Sequence, residues 1–381
     1  MIFTDININM ALYYAGFNAS PLFTEKEDIV IALDQFTKVP FSGVTNMEIS
    51  WNYFLLWRDL ELYIVGKVGS DDDKKPPELL KIPESSGRCK IVGTGKESII
   101  ISTTNNEIWQ YRLYEKSWKK VPNFINASKE LEEEYPIKIS QGGCTVILTN
   151  LGRIFNIPIL VEMPKRIKFV DFSCGFDHTI MLAANGDVYS MGMGTRGQLG
   201  HGDLEDCDEP QLIEALAGLN VVQVSAAGWH NAVVTDQGDL YTWGWNVNGE
   251  LGIPKGDTKV VAIPTVINFT NDKEECIDIN VKKVQCGNTF TICMMGWYDL
   301  ITSTLISSNA PSYIFQFVTD DKSFWGCGSN KYGQLGQSRQ KVTSSTIFFK
   351  LDVPLDRKNI IDFKCEEWGT MISTEVISSV S

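Results

Sequence analysis

Three histidines, His178, His201 and His230, are the only side chains of this 381-residue chain that titrate near neutrality without perturbation. Acid-base or nucleophilic catalysis needs such a group beside a nucleophile, and no GxSxG, HExxH or facial-triad HxD pattern supplies one. His178 and His230 stand at matching places in two similar segments, where Cys144 and Phe290 occupy the same place in weaker ones. A position that tolerates Phe is not a catalytic one, so both histidines read as buried, hydrogen-bonded core residues. The 47 acidic residues can meet in pairs by chance, but none has a diagnostic spacing. Nine cysteines, an odd number without a single CxxC, argue against a disulfide or zinc framework. Cys144, Cys174, Cys286 and Cys365 recur at one strand motif and read as free, buried thiols. The expectation is a protein with no catalytic residues, no cofactor and no metal, and therefore not an enzyme.

Binding is the other chemistry to consider. A net charge of −13, from 47 acidic against 34 basic residues, opposes a phosphate backbone, so no direct DNA binding is expected. Trp229, Trp243 and Trp245 concentrate indoles in one segment. Trp243 sits at a repeated position and reads as core, whereas Trp229 and Trp245 replace Asp177 and Met193 of the matching segment. Together with Arg196 and Asn246 they form a candidate partner-binding set, because desolvated Trp and Arg anchor interfaces. Trp297 and Tyr298 join that set from an insertion of about 24 residues after Cys293. The insertion reads equally well as a recognition loop or as an extension of its flanking strands. The basic run PKRIK at 164–168 has the form of a short import signal but reads better as an ordinary connection. No long apolar run and no basic-then-apolar N-terminus is present, so no membrane span and no secretion are expected.

These residues are positioned by a repeat. GFDHTIMLAANGDVYSMGMGTRGQLG, ending at Gly200, matches AGWHNAVVTDQGDLYTWGWNVNGELG, ending at Gly252, with Gly186 and Gly238, Gly192 and Gly244, and Gly197 and Gly249 in step. Gly175 opens the first of these. A third copy begins at Cys286 and Gly287 and resumes at WGCGSNKYGQLG, with Gly328, Gly333 and Gly336; a fourth begins at Cys365, Trp368 and Thr370. The glycines bracket turns and read as structural, since a strand and GxLG follow them where a phosphate loop would need a helix and a lysine. Fainter copies bring the total to seven strand-pair starts, near residues 49, 93, 141, 174, 226, 286 and 365. Self-similarity of this kind, with short alternating strands bounded by Gly, Asn and Asp, predicts an all-β, seven-bladed β-propeller in a single domain over 1–381. Weak blades are expected over 24–169 and clear repeats over 170–222, 223–280 and 281–358. A last blade over 359–381 would be completed by the N-terminal strand in 1–23, which leaves no free edge. Helix is expected only near 214–219 and 128–135.

The template CGxxHTxxLxxxGxVYxWGxNxxGQLG resembles that of the regulator of chromosome condensation repeat family, strongly from Val170 onward. The resemblance implies the seven-bladed fold. Residues 212–246 are most similar to the small single-domain members. That kinship implies a noncatalytic, monomeric scaffold in nucleus and cytoplasm that binds a JmjC-type 2-oxoglutarate oxygenase, meets chromatin proteins, and supports chromatin regulation and chromosome stability. It also implies that Arg166, nearest the segment expected to meet the oxygenase active site, is a candidate hydroxylation target. The alternative activity in the family is guanine-nucleotide exchange on a small Ran-like GTPase. The members that perform it carry a basic N-terminal tail, and residues 1–23 here contain no lysine or arginine.

Overall fold

The computed structural model describes residues 10–18, 32–50, 52–58, 61–66, 76–83, 87–122, 133–163, 167–254, 259–271, 273–296 and 322–376. Seven four-stranded antiparallel sheets form the blades of a propeller. Their first, innermost strands are Val44–Ile49, Cys89–Thr94, Pro136–Gln141, Phe169–Cys174, Val221–Ala227, Val281–Gly287 and Ile360–Glu366. The seven starts marked in the sequence fall at the ends of these strands. Blades one to six run outward in chain order. Blade seven takes Ile360–Glu366 and Gly369–Glu375 from the C-terminal side, then Met10–Phe17 and Ala32–Lys38 from the N-terminal side. The N-terminal contribution is thus two strands, and the boundary expected at residue 23 falls before the second of them. Among the described residues helix is confined to the single 3-10 turns Glu214–Leu216 and Arg357–Asn359. Of the segment 128–135, residues 128–132 lie outside the described residues and 133–135 are not helical.

Burial within a blade explains which strands the sequence makes legible. The second strand of a blade is covered on both faces by its neighbours and reads as a continuous apolar run. His178–Ala183, His230–Thr235 and Phe290–Met295 are buried at every residue. The outermost strand is half in solvent, and Cys207–Leu212 has no buried residue at all. Each core is shared between blades: Ile180, Leu182 and Val188 of blade four pack with Val221, Val224, Val233 and Trp243 of blade five. All nine cysteines are free, but burial is found only at Cys286 and Cys365 of the four at the strand motif; against the expectation Cys174 is half-buried and Cys144 is exposed, since the ends of the innermost strands border the open channel.

A repeated hydrogen-bond lock joins successive blades through the GxLG loops. The side chains of Gln198, Glu250 and Gln334 accept from the backbone N–H of Arg196, Asn248 and Tyr332 at 2.8, 2.6 and 2.8 Å, which folds each loop. The carbonyls of the same three residues then accept from the next blade. Asn231 Nδ2 and Trp243 Nε1 donate to Gln198 O at 2.8 and 3.1 Å, Thr291 Oγ1 to Glu250 O at 2.7 Å, and Thr370 Oγ1 to Gln334 O at 2.6 Å. His178 Nε2 meets Asn231 Oδ1 at 2.7 Å and His230 Nε2 meets Thr291 Oγ1 at 2.9 Å, which adds a further bond at two of the same junctions, between blades four and five and between blades five and six. Burial pushes these imidazoles down to about 4 and about 3, so both are neutral at physiological pH.

Glu250 is the exception in this lock, a carboxyl where the other two loops have an amide. Only 1% exposed, it is pushed up by burial to about 7. The folded state therefore holds the proton more tightly than the unfolded chain, and the stability that protonation gives is lost as pH rises through 7. Glu250→Gln is expected to stabilise the protein by roughly 1–3 kcal/mol at pH 8, with the gain shrinking through pH 7 and vanishing below the ordinary carboxyl range. Urea melts of both chains across pH 4 to 9 read this; a gain independent of pH would contradict it.

Candidate functional site

One face of the ring carries the turns between first and second strands together with the long loops between third and fourth strands. On this face blades four to seven each bring two residues together at a fixed station. The residue after a glycine at the end of the third strand donates its N–H to the carbonyl of a residue in the first turn: Met193 to Asp177 (2.8 Å), Trp245 to Trp229 (2.9 Å), Ser329 to Thr289 (2.8 Å) and Phe17 to Trp368 (3.0 Å). The glycines that permit it are Gly192, Gly244, Gly328 and Gly16, with φ of 113°, 108°, 93° and 137°, where a Cβ would lie 2.4 Å from the accepting carbonyl oxygen. No other residue adopts that conformation at that approach without strain.

At the station of blade five the pair is two indoles, and a cation from blade four lies against them. The Arg196 guanidinium, on the loop that follows Val188–Gly192, is centred 3.9 Å from the Trp229 ring and 5.4 Å from the Trp245 ring. Both distances are within cation–π range. Trp229 is oriented by its Nε1–H, which donates to Asp177 Oδ2 at 3.1 Å, and by the edge of Phe176, with ring centroids 4.9 Å apart at 78°. Trp229, Trp245 and Arg196 are all half-buried, with part of each open to solvent.

The regulator of chromosome condensation (RCC1) repeat model matches residues 185–234 and 237–294, and a second model of the same repeat matches 169–198 and 221–250. Residues 169–294 thus carry regulator of chromosome condensation repeats, within a chain folded as a seven-bladed propeller. It is 51% identical over 232 residues to RCC1 domain-containing protein 1 of Homo sapiens, covering 57% of this chain and 58% of that one. To the Mus musculus protein of that name it is 37% identical over 137 residues, 35% of this chain and 36% of that one. The matches thus span between about a third and three fifths of these relatives. Among solved structures, Prp20p of Saccharomyces cerevisiae, studied for its binding to Gsp1p and histones, superposes with a TM-score of 0.72 at 14% identity, covering 98% of this chain and 93% of that one. At that identity the likeness is one of fold.

In this repeat propeller the seven innermost strands enclose a central channel of about 720 Å³, which opens beside Asp177 and Trp229. Three of the four lysines that line it are engaged in ion pairs between adjacent blades: Lys138 with Asp171, Lys283 with Asp362, and Lys364 with Glu48 across the seam where blades seven and one meet. Burial and the neighbouring Glu48 push the Glu366 carboxyl well above the usual carboxylate range. Among the described residues no group of three or more His, Cys, Asp or Glu is placed to hold a metal. Among the described residues one serine–histidine contact exists, Ser190 Oγ to His201 Nε2 at 2.9 Å, but Ser190 is fully buried and its hydroxyl donates to Leu199 O. Thr242 makes the same bond to Leu251 O where the repeat has Ile253 in place of His201, so the contact belongs to the loop fold.

The structure brings together Trp229, Trp245 and Arg196 but separates the remaining sequence candidates from them. Asn246 is 5% exposed and turned inward, its Oδ1 accepting from Leu251 N at 3.1 Å; it shapes the loop and offers nothing to a partner. Asn330 does the same in blade six, accepting from Leu335 N at 3.0 Å. Trp297, Tyr298 and Arg166 lie outside the described residues. The strands flanking the insertion pair Phe290 with Gly328 at the Trp229 face and Met294 with Phe324 at the opposite end. Sequence reasoning missed Asp177 and Phe176, and it missed a second aromatic station. There Tyr332 takes the place of Arg196 against Trp368 and Phe17, with ring centroids at 5.7 and 4.9 Å. The signal was present, since Trp368 opens the fourth copy as Trp229 opens the second.

Proposed function

We propose that this propeller is a noncatalytic docking protein that receives its partner on the face of Arg196, Trp229 and Trp245, and that the partner is a JmjC-type 2-oxoglutarate oxygenase acting on chromatin. The observation that carries the docking reading is the guanidinium stacked on two half-buried indoles at the mouth of a channel where Lys138, Lys283 and Lys364 are already paired. Large amphipathic side chains held in place before binding anchor interfaces at low entropic cost. The partner's identity is supported by the kinship with RCC1 domain-containing protein 1. Arg166 belongs to the same proposal as the arginine the oxygenase would modify, in nucleus or cytoplasm.

Affinity measurement of the purified oxygenase against chain variants tests this. Trp229→Ala is expected to weaken binding by about thirtyfold or more, the loss typical of a central interface tryptophan. Ile159→Ala, on the outermost strand of blade three and 72% exposed, is expected to leave binding unchanged. Equal affinity of Trp229→Ala and the unaltered chain would overturn the docking reading. Accelerated nucleotide release from a Ran-like GTPase would replace the scaffold by an exchange factor.

A further inference from the structure

We propose that the Trp229–Trp245 notch is a recognition site for a cationic side chain of the partner, a lysine ammonium or an arginine guanidinium, and that Arg196 fills it in the free protein as an internal stand-in. The inference rests on the docking reading and gives that surface a ligand chemistry.

The walls are built before any partner arrives. Trp229 is fixed by Asp177 and Phe176, and the Trp245 backbone N–H is tied to the Trp229 carbonyl. Two indole faces present negative potential toward one point, and the Asp177 carboxylate stands at the rim. The present occupant demonstrates the preference, because a guanidinium lies within 6 Å of both rings. Among the described residues that guanidinium is held by the rings alone.

Arg196 is also dispensable to its own loop. The loop is folded by the bond from Arg196 N to Gln198 Oε1, which uses no side-chain atom of residue 196. The equivalent bond forms in blade five from Asn248 N to Glu250, where the facing station is Thr289 and Ser329 and no ring is present. It forms again in blade six from Tyr332 N to Gln334, where the side chain is aromatic. Three unlike side chains therefore occupy this position over one backbone. The Arg196 side chain can swing out while the loop stays seated, and an incoming cation exchanges one stacked charge for another without opening a new cavity.

The test uses the full chain labelled with ¹⁵N at the tryptophan indoles, titrated with tetramethylammonium in one arm and methylguanidinium in the other. Trp229→Phe and Trp245→Phe assign the two indole signals. Arg196→Ala is expected to bind at least one of the cations about tenfold more tightly than the unaltered chain, since the internal competitor is gone. Adding Trp229→Ala should abolish the response, and adding Asp177→Asn should weaken it. The better cation distinguishes a lysine-bearing from an arginine-bearing partner. Indole signals in Arg196→Ala that respond no more than those of the unaltered chain, in a variant that melts normally, would overturn the proposal. If oxygenase capture persists in that case, docking stands and only the cation reading falls; if the cations bind but the oxygenase does not, the notch stands and the choice of partner falls.

Discussion

A chain lacking residues 1–38 is expected to aggregate when expressed alone and to regain a cooperative melt when the missing segment is supplied as a separate peptide. Met10–Phe17 pairs with Gly369–Glu375 through seven consecutive residue pairs, from Met10 with Glu375 to Gly16 with Gly369. Without it the second strand of blade seven becomes a bare edge, a template for pairing with other chains. The loss reaches blade one as well, because Leu12, Tyr14 and Leu33 share a core with Met47, Phe54 and Leu56. Burying each such side chain stabilises the fold by about 1.5–3 kcal/mol, and several lost together rival the whole net stability of a domain, about 5–15 kcal/mol. The Lys364–Glu48 pair across the seam has no means of holding blades seven and one together by itself. Soluble yield and circular-dichroism melts read the outcome. A truncated chain that melts cooperatively within a few degrees of the full one would show that the ring does not need its N-terminal strands.

Trp243→Ala carries the largest expected effect of any single substitution, a loss of about 3–5 kcal/mol. The indole is fully buried among Ile180, Leu182, Val224 and Val233, and its Nε1–H donates to Gln198 O in the lock between blades four and five. Alanine leaves a cavity shared by two blades. Trp243→Phe should cost less, since it keeps most of the volume and Asn231 still donates to Gln198 O. Urea denaturation of the three chains orders them as unaltered, Phe, Ala; an alanine variant within 1 kcal/mol of the unaltered chain would contradict this packing.

The parts of the molecule that were legible in the sequence are those that every blade must repeat under the same constraint. The buried second strands and the left-handed glycines Gly192, Gly244 and Gly328 recur because their neighbours leave one solution. The outer strands did not show, because Cys207–Leu212 and Ser117–Lys120 have no buried residue and so no pattern to read. Ala32–Lys38 was missed for a related reason: it closes a blade whose first strand lies at the other end of the chain. At the site, Trp229 and Trp245 were visible as departures from the repeat. Asn246 misled because a polar loop residue gives no sign of whether it faces solvent or folds the loop. The station of Phe17, Tyr332 and Trp368 was missed although Trp368 opens the fourth copy, because Phe17 comes from the other end of the chain and meets the other two only when the ring closes.

Hydrogen exchange of the chain with and without the bound oxygenase tests the central claim most directly. The account predicts slowed exchange at residues 175–177, 193–206, 227–230 and 245–254, on the face of Arg196, Trp229 and Trp245, and unchanged exchange at the opposite turns 184–187 and 236–239. Protection confined to those opposite turns would contradict it.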